Sequence, residues 1–209
     1  MRYLISAGPT REKIDPIRFI SNRSSGKMGY ALAEAARQAG HEVILVSGPV
    51  SLAAPDGLDT VMVESAAEMA AAIKSRADAA DVIVMTAAVA DYRPVQALAD
   101  KMKKGAGKLV LELERTEDIL ATLGQTKRPG QILVGFAAET RDLLVYARDK
   151  LRRKNLDWIV ANDVGKPGQG IASELNAVTM IPATGEPVEL PLQDKKALAV
   201  KIIAVIDRR

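Results

Sequence analysis

Apolar runs of strand length alternate along this chain with segments in which apolar residues recur at helical spacing. The runs cover residues 3–8, 42–48, 81–90, 131–139 and 157–163; the helical segments cover 27–39, 66–79 and 142–155. This is a βαβ series. Strands buried on both faces read as continuous apolar stretches rather than alternating ones, so the pattern predicts an α/β fold with a mainly parallel twisted sheet and helices on both faces. Ligands of such folds sit at the carboxyl ends of the strands. The unusual residues gather at those ends: Gly8-Pro9-Thr10, Ser47-Gly48-Pro49, Ala88 to Asp91, Ala137 to Thr140, and Ala161-Asn162-Asp163.

Two segments break the rhythm. Residues 91–113 carry DKMKKGAGK and then the alternating LVLELE, which predicts an extended arm or hairpin leaving the sheet. Residues 176–190 predict a β-hairpin around Thr184-Gly185, followed by a terminal helix from about Asp194. No internal repeat or low-complexity linker divides the 209 residues, which are read as a single domain, long enough to bury roughly 70% of the unfolded surface.

Composition narrows the chemistry. Without cysteine there is no disulfide, thiolate metal site or cysteine nucleophile, so any thiol must come from a substrate. A net charge of +3 with only 3% aromatic residues favours anionic small molecules over nucleic acid, whose single strands need stacking platforms. No stretch approaches the ~18 apolar residues of a membrane span, and a strand pattern follows Met1 where a signal peptide would lie, so a cytoplasmic protein is expected.

The connection from Pro9 to about Gly26 is long for a βα loop, and such loops are more often functional. Within it, the Ser24 and Ser25 hydroxyls can cap the following helix, while Gly26 and Gly29 let backbone amides approach an anion. Asn22 offers a donor and an acceptor to a reacting carbonyl, or else forms a local turn. Lys101, Lys103 and Lys104 form either a solvated face or a lid over a polyphosphate. Arg141, Lys150 and Lys154 belong to a basic helical segment; the last two share one face, where like charges are unfavourable unless an anion lies between them. Asp91 suits a ribose hydroxyl, a water-mediated metal contact, or a turn cap. His41 reads as a surface turn residue and Trp158 as core. Tyr146 and Lys150 match Y-x-x-x-K of short-chain dehydrogenases, but G-x-G-x-x-G is missing. No clustered His, Cys or carboxylates suggest a dedicated protein metal cage.

Taken together, ISAGPTREKIDPIRFISNRSSGKMG, LVSGPV, TAAVADYRP, KMKK, VGFAAET and VANDV closely resemble the bacterial phosphopantothenoylcysteine synthetase (phosphopantothenate-cysteine ligase) family over nearly the whole chain. The resemblance implies a Rossmann-like fold and a ligase of coenzyme A biosynthesis that joins 4′-phosphopantothenate to L-cysteine. CTP, with Mg²⁺ held by its phosphates, would activate the acid as an acyl-cytidylate. By the same resemblance, Lys101 neutralises the phosphates and Asn22 acts on the acyl-cytidylate. Ala87, Ala88, Asp91, Glu117, Asp118, Ile119, Leu120, Phe136, Lys150 and Lys154 match nucleotide-holding positions, and Gly8, Ser24, Ser25 and Gly26 form the loop facing the substrate phosphate or acyl intermediate. Family members pair as homodimers, the arm reaching toward the partner's site. The flavin-dependent decarboxylase is usually the other half of a bifunctional protein, so no flavin is expected here. Two departures stand out: Glu117 replaces a usual proline, adding an N–H and a negative charge to the base-reading turn, and Ile171 and Glu174 replace a usual aromatic and aspartate. The competing reading is a non-catalytic NADP(H)-binding regulator, against which the missing dinucleotide fingerprint and the extra lysine arm both argue.

Overall fold

The computed structural model describes residues 1–104, 107–139, 143–163 and 173–208; Thr140, Arg141 and Ile171 lie outside the described residues. In chain order the elements are β1 (Arg2–Ala7), β2 (Arg11–Lys13), β3 (Phe19–Ser21), α1 (Lys27–Gln38), β4 (Glu42–Ser47), β5 (Asp59–Met62), α2 (Ala66–Ala77), β6 (Val82–Met85) and β7 (Tyr92–Pro94). Then come β8 (Leu113–Arg115), α3 (Ile119–Thr126), β9 (Ile132–Glu139), α4 (Leu143–Arg153), β10 (Trp158–Asp163), β11 (Leu175–Pro182), β12 (Val188–Asp194) and α5 (Lys195–Asp207).

Eight of the described strands form one sheet in the order β12-β11-β10-β9-β6-β1-β4-β5, parallel from β10 to β5 and closed at the other edge by the antiparallel β11–β12 hairpin. Alternation along β1 sends Tyr3, Ile5 and Ala7 to one face, packed on α1 and α5, and Leu4 to the other, packed with α2, α3 and α4. Fully burying a Leu or Ile contributes about 1.5–3 kcal/mol. An exposed ion pair such as Arg2–Glu42 contributes at most about 1 kcal/mol, so the two apolar layers hold the frame.

Four sequence expectations change. The apolar run 81–90 is a strand only to Met85, because the Ser6 hydroxyl accepts the Thr86 and Ala87 amides and turns the chain across the strand ends. The Glu117–Leu120 turn opens a helix, α3, capped by Asp118 accepting from Ala121 N–H. β5, which follows the turn at Pro55-Asp56-Gly57, escaped the pattern reading because its run is short and only half-buried. His41 is no surface residue: its ring stacks on Tyr3 at 4.9 Å, and its Nε2 lies 2.8 Å from the Asp207 carboxylate, which also accepts the Tyr3 hydroxyl. Burial, followed by that carboxylate, pushes the Tyr3 phenol far above its ordinary value.

The long opening loop folds on itself as the β2–β3 hairpin. Asp15 holds its turn, accepting from the Ile17 and Arg18 amides, and also accepts the Met102 amide from the arm. The arm is closed at its stem by β7 pairing with β8.

Candidate functional site

The chain reverses direction across the sheet between β1 and β6, since β4 and β5 follow β1 on one side while β6 flanks it on the other. That switch point opens a crevice at the carboxyl ends of the strands. Here it holds a cavity of about 560 Å³. On its floor, Gly8 and Ala88 exchange backbone contacts: Ala88 N–H donates to Gly8 O at 2.9 Å, and Thr10 N–H returns to Ala88 O.

One wall is the N-terminus of α1. Gly26 is its N-cap in the left-handed region, at φ 76°, and among the described residues no side-chain hydrogen bond caps the helix. The predicted hydroxyl capping therefore does not occur: Ser24 Oγ instead accepts the Gly26 amide at a long 3.4 Å, and Ser24, Ser25 and Gly26 line the cavity. An uncapped helix start beside a cavity leaves its amides and positive dipole end for an anion. Gly29 lines the cavity and also lets α1 approach the sheet, because a Cβ there would fall 2.5 Å from Ala7 Cβ and 2.7 Å from Thr86 Oγ1.

Asn22 lines the same cavity. Its Nδ2 donates to Ala88 O at 3.2 Å and Val89 O at 3.0 Å, so both amide hydrogens are engaged. The donor expected for a reacting carbonyl is thus occupied, and Oδ1 is the end of the amide that remains.

The opposite wall comes from α3 and α4. Lys154 Nζ contacts the Asp118 carboxylate at 2.6 Å, and Lys150 Nζ donates to Phe136 O at 2.7 Å, which answers how two like charges share a helical face. Burial alone would raise the Asp118 carboxyl, but Lys154 and the Ala121 amide outweigh it and hold it low. The extra charge of Glu117 is paired with Lys74 at 2.7 Å and accepts the Thr122 hydroxyl, which hold its carboxyl below the usual range. Ala87, Ala88, Asp91, Glu117, Asp118, Ile119, Leu120, Phe136, Lys150 and Lys154 all line the one cavity with Gly8 and Asn22.

Lys101 does not line it. Its neighbour Met102 is tied to the β2–β3 hairpin through Asp15 and through Arg18 Nη2 on its carbonyl, leaving Lys101 exposed and outside any strand. Sequence reasoning missed Lys27 and Lys195, which also line the cavity with Asn162 and Asn176. A lysine opening each of two helices was the available signal, hidden by the general abundance of basic residues. Among the described residues, no three His, Cys, Asp or Glu side chains converge as a metal site, and no helix is long and apolar enough to cross a membrane.

The family model for the DNA/pantothenate metabolism flavoprotein C-terminal domain matches residues 1–208. The chain belongs to this family. The coenzyme A biosynthesis bifunctional protein CoaBC of Bacillus subtilis (strain 168) is 54% identical over 204 residues, covering 97% of this chain and 50% of that protein. The Escherichia coli (strain K12) protein of the same name is 44% identical over 212 residues, covering 100% of this chain and 52% of that protein. The chain thus spans about half the length of the curated relatives it matches. Among solved structures, the C-terminal domain of a CoaBC protein superposes with a TM-score of 0.84 at 51% identity, covering 99% of this chain and 94% of that one. A Cab2 mutant in complex with phosphopantothenate-cysteine superposes at 0.79 with 19% identity, covering 100% and 87%, and shares the fold. The family's α/β architecture is therefore the one seen here, with the mainly parallel sheet, the arm and the C-terminal hairpin all present.

Proposed function

We propose that this chain is a phosphopantothenate-cysteine ligase of coenzyme A biosynthesis using CTP. The carboxylate of 4′-phosphopantothenate attacks the α-phosphate of CTP, forming the acyl-cytidylate and releasing pyrophosphate. The amine of L-cysteine then attacks the acyl carbon, the C–O bond to CMP breaks, and the amine loses a proton. One observation carries this reading: the positions matched to the nucleotide and the Asn22 loop face one cavity at the switch point, with an uncapped helix start between them.

In this reading the nucleotide lies along Asp118–Leu120, Phe136, Lys150 and Lys154. Its phosphates approach Ser24, Ser25, Gly26 and the α1 N-terminus, where oriented amides stabilise charge without reorganising. Asp91 is the cavity carboxylate suited to a ribose hydroxyl or to a water of a phosphate-bound Mg²⁺, which would neutralise the triphosphate. Pairing of Glu117 with Lys74 supports the CTP assignment, since the added charge is compensated before any base arrives. Lys101 acts on the site of a partner copy in a homodimer. Exposed Ile17, Phe19, Val95, Leu98 and Val110 on the hairpin and arm supply an apolar surface for that partner.

Incubation with CTP, Mg²⁺, 4′-phosphopantothenate and L-cysteine is expected to release pyrophosphate and CMP in step with product. CTP should exceed ATP in kcat/KM by roughly tenfold or more, as expected where buried polar groups would go unpaired against the wrong base. Binding of NADPH with no pyrophosphate release would establish the regulator instead.

A further inference from the structure

Between the end of β6 and the start of β7, residues 86–91 cross the strand ends outside any ladder, so their buried amides and carbonyls need partners from elsewhere in the chain. Several come from the β1–α1 connection. Thr10 holds the segment twice: its Oγ1 accepts the Ala90 amide at 3.0 Å, and its own N–H donates to Ala88 O at 3.3 Å. Its carbonyl accepts the Ser21 hydroxyl at 2.7 Å. Thr10 is fully buried and does not line the cavity, so it reaches no substrate there.

What Thr10 grips decides where Asn22 lies. Asn22 hangs by Nδ2 from Ala88 O and Val89 O. Ala88 O is itself one of the groups that Thr10 holds, and Val89 lies between it and the Ala90 amide. Ser21, the residue before Asn22, is the one tied to the Thr10 carbonyl. Thr10 therefore fixes Asn22 from two sides, through the carbonyls that carry its amide group and through the backbone that carries its side chain. With both amide hydrogens spent, Oδ1 is the end left for the reaction, and its place follows from those anchors. In the proposed ligation, on which this inference rests, Asn22 serves the transfer from acyl-cytidylate to cysteine. A misplacement of about 1 Å at such a group can cost about 10² in rate. Ala90 is buried as well, so removing the Thr10 hydroxyl leaves its amide away from water without that acceptor.

We propose that Thr10 is a positioning residue for acyl transfer: by holding the Ala90 amide with its hydroxyl and the Ser21 hydroxyl with its carbonyl, it sets the place of Asn22.

Thr10→Val keeps the shape of the side chain and removes the acceptor, whereas Thr10→Ser keeps the acceptor. Acyl-cytidylate is formed from CTP and 4′-phosphopantothenate without cysteine, and its conversion to product is timed after cysteine is added. Thr10→Val should slow this transfer by about tenfold, the usual scale of one buried hydrogen bond, and pyrophosphate release by much less. Thr10→Ser should restore the rate. The deciding measurement is Thr10→Val in an Asn22→Ala chain: with no Asn22 side chain left to position, transfer should slow no further. A threonine that only stabilises the fold would slow both backgrounds by the same factor, and that result overturns the proposal. Unchanged transfer in Thr10→Val, or an equal slowing of pyrophosphate release, overturns it too. Ser21→Ala, at an exposed position, removes the tie to the Thr10 carbonyl and supplies the same comparison should Thr10→Val fail to fold. A wild-type protein that releases no pyrophosphate overturns the ligase reading itself, and the positioning role with it.

Discussion

Asn22 spends its two amide hydrogens on the carbonyls of Ala88 and Val89, stapling the opening loop to the segment that crosses the strand ends. Removing the side chain leaves those carbonyls facing the cavity and frees the loop, so the second half-reaction should suffer most. For Asn22→Ala we expect acyl-cytidylate to form but its transfer to cysteine to slow by about tenfold or more, the scale of losing the two hydrogen bonds that fix the loop over the strand ends. Quenched single-turnover mass spectrometry with and without cysteine measures this; normal product formation, or no acyl-cytidylate, excludes the role. At this scale the sequence was legible as far as placement, as for Lys150 and Lys154, which line the cavity but already hold Phe136 O and the Asp118 carboxylate. It was not legible where partners are distant in the chain. Glu117 reads as an added charge in a turn, and only the fold brings Lys74 to it; His41 reads as a turn residue, and only the terminal helix brings Asp207.

Elements were read well where periodicity is strong and poorly where one hydroxyl redirects the backbone. The strands at residues 3–8, 42–48 and 131–139 and the helix at 27–39 match β1, β4, β9 and α1 within a residue or so because their apolar faces are set by burial. The alanine-rich run 86–90 is as apolar as a strand, and nothing local announces that Ser6 will take its amides. The arm is the element whose behaviour follows most directly from one side chain. Asp15 ties Met102 to the hairpin; burial alone would raise its carboxyl, but amide donors and Arg18 hold it below the usual 3.8. A lowered carboxyl stabilises above the unfolded value, so the latch is fully present at pH above about 4 and is lost as pH falls through the lower folded value. Asp15→Ala should release the arm at neutral pH. We expect limited trypsin cleavage at Lys101, Lys103 and Lys104 to accelerate several-fold, while wild-type arm amides lose hydrogen-exchange protection only below pH 4. Unchanged cleavage would show that the β7–β8 stem alone fixes the arm.

For the whole molecule, strand order accounts for why residues scattered from Gly8 to Lys195 meet: β1 and β6 are neighbours whose connections leave in opposite directions, and the cavity follows. Sequence pattern gives the class of fold and hence the edge where ligands bind, but not which loops face each other. The exception to that convergence is Lys101, which lies on the arm outside the cavity of its own chain. If the arm serves a partner, two inactive variants should repair each other. In a mixed dimer of Lys101→Ala and Asn22→Ala chains, the site built on the Lys101→Ala chain keeps Asn22 and receives Lys101 from its partner, whereas the other site lacks both. Random exchange between equal amounts makes half of the dimers mixed, with one intact site in two. Recovery should therefore reach about a quarter of wild-type activity, as expected for a twofold pair with shared sites. If Lys101 works within its own chain, each site of the mixed dimer still lacks one group, and mixing restores nothing. Steady-state product formation after co-refolding the two variants, with the dimer fraction measured by light scattering, distinguishes these outcomes; dimers without recovery place the arm in cis.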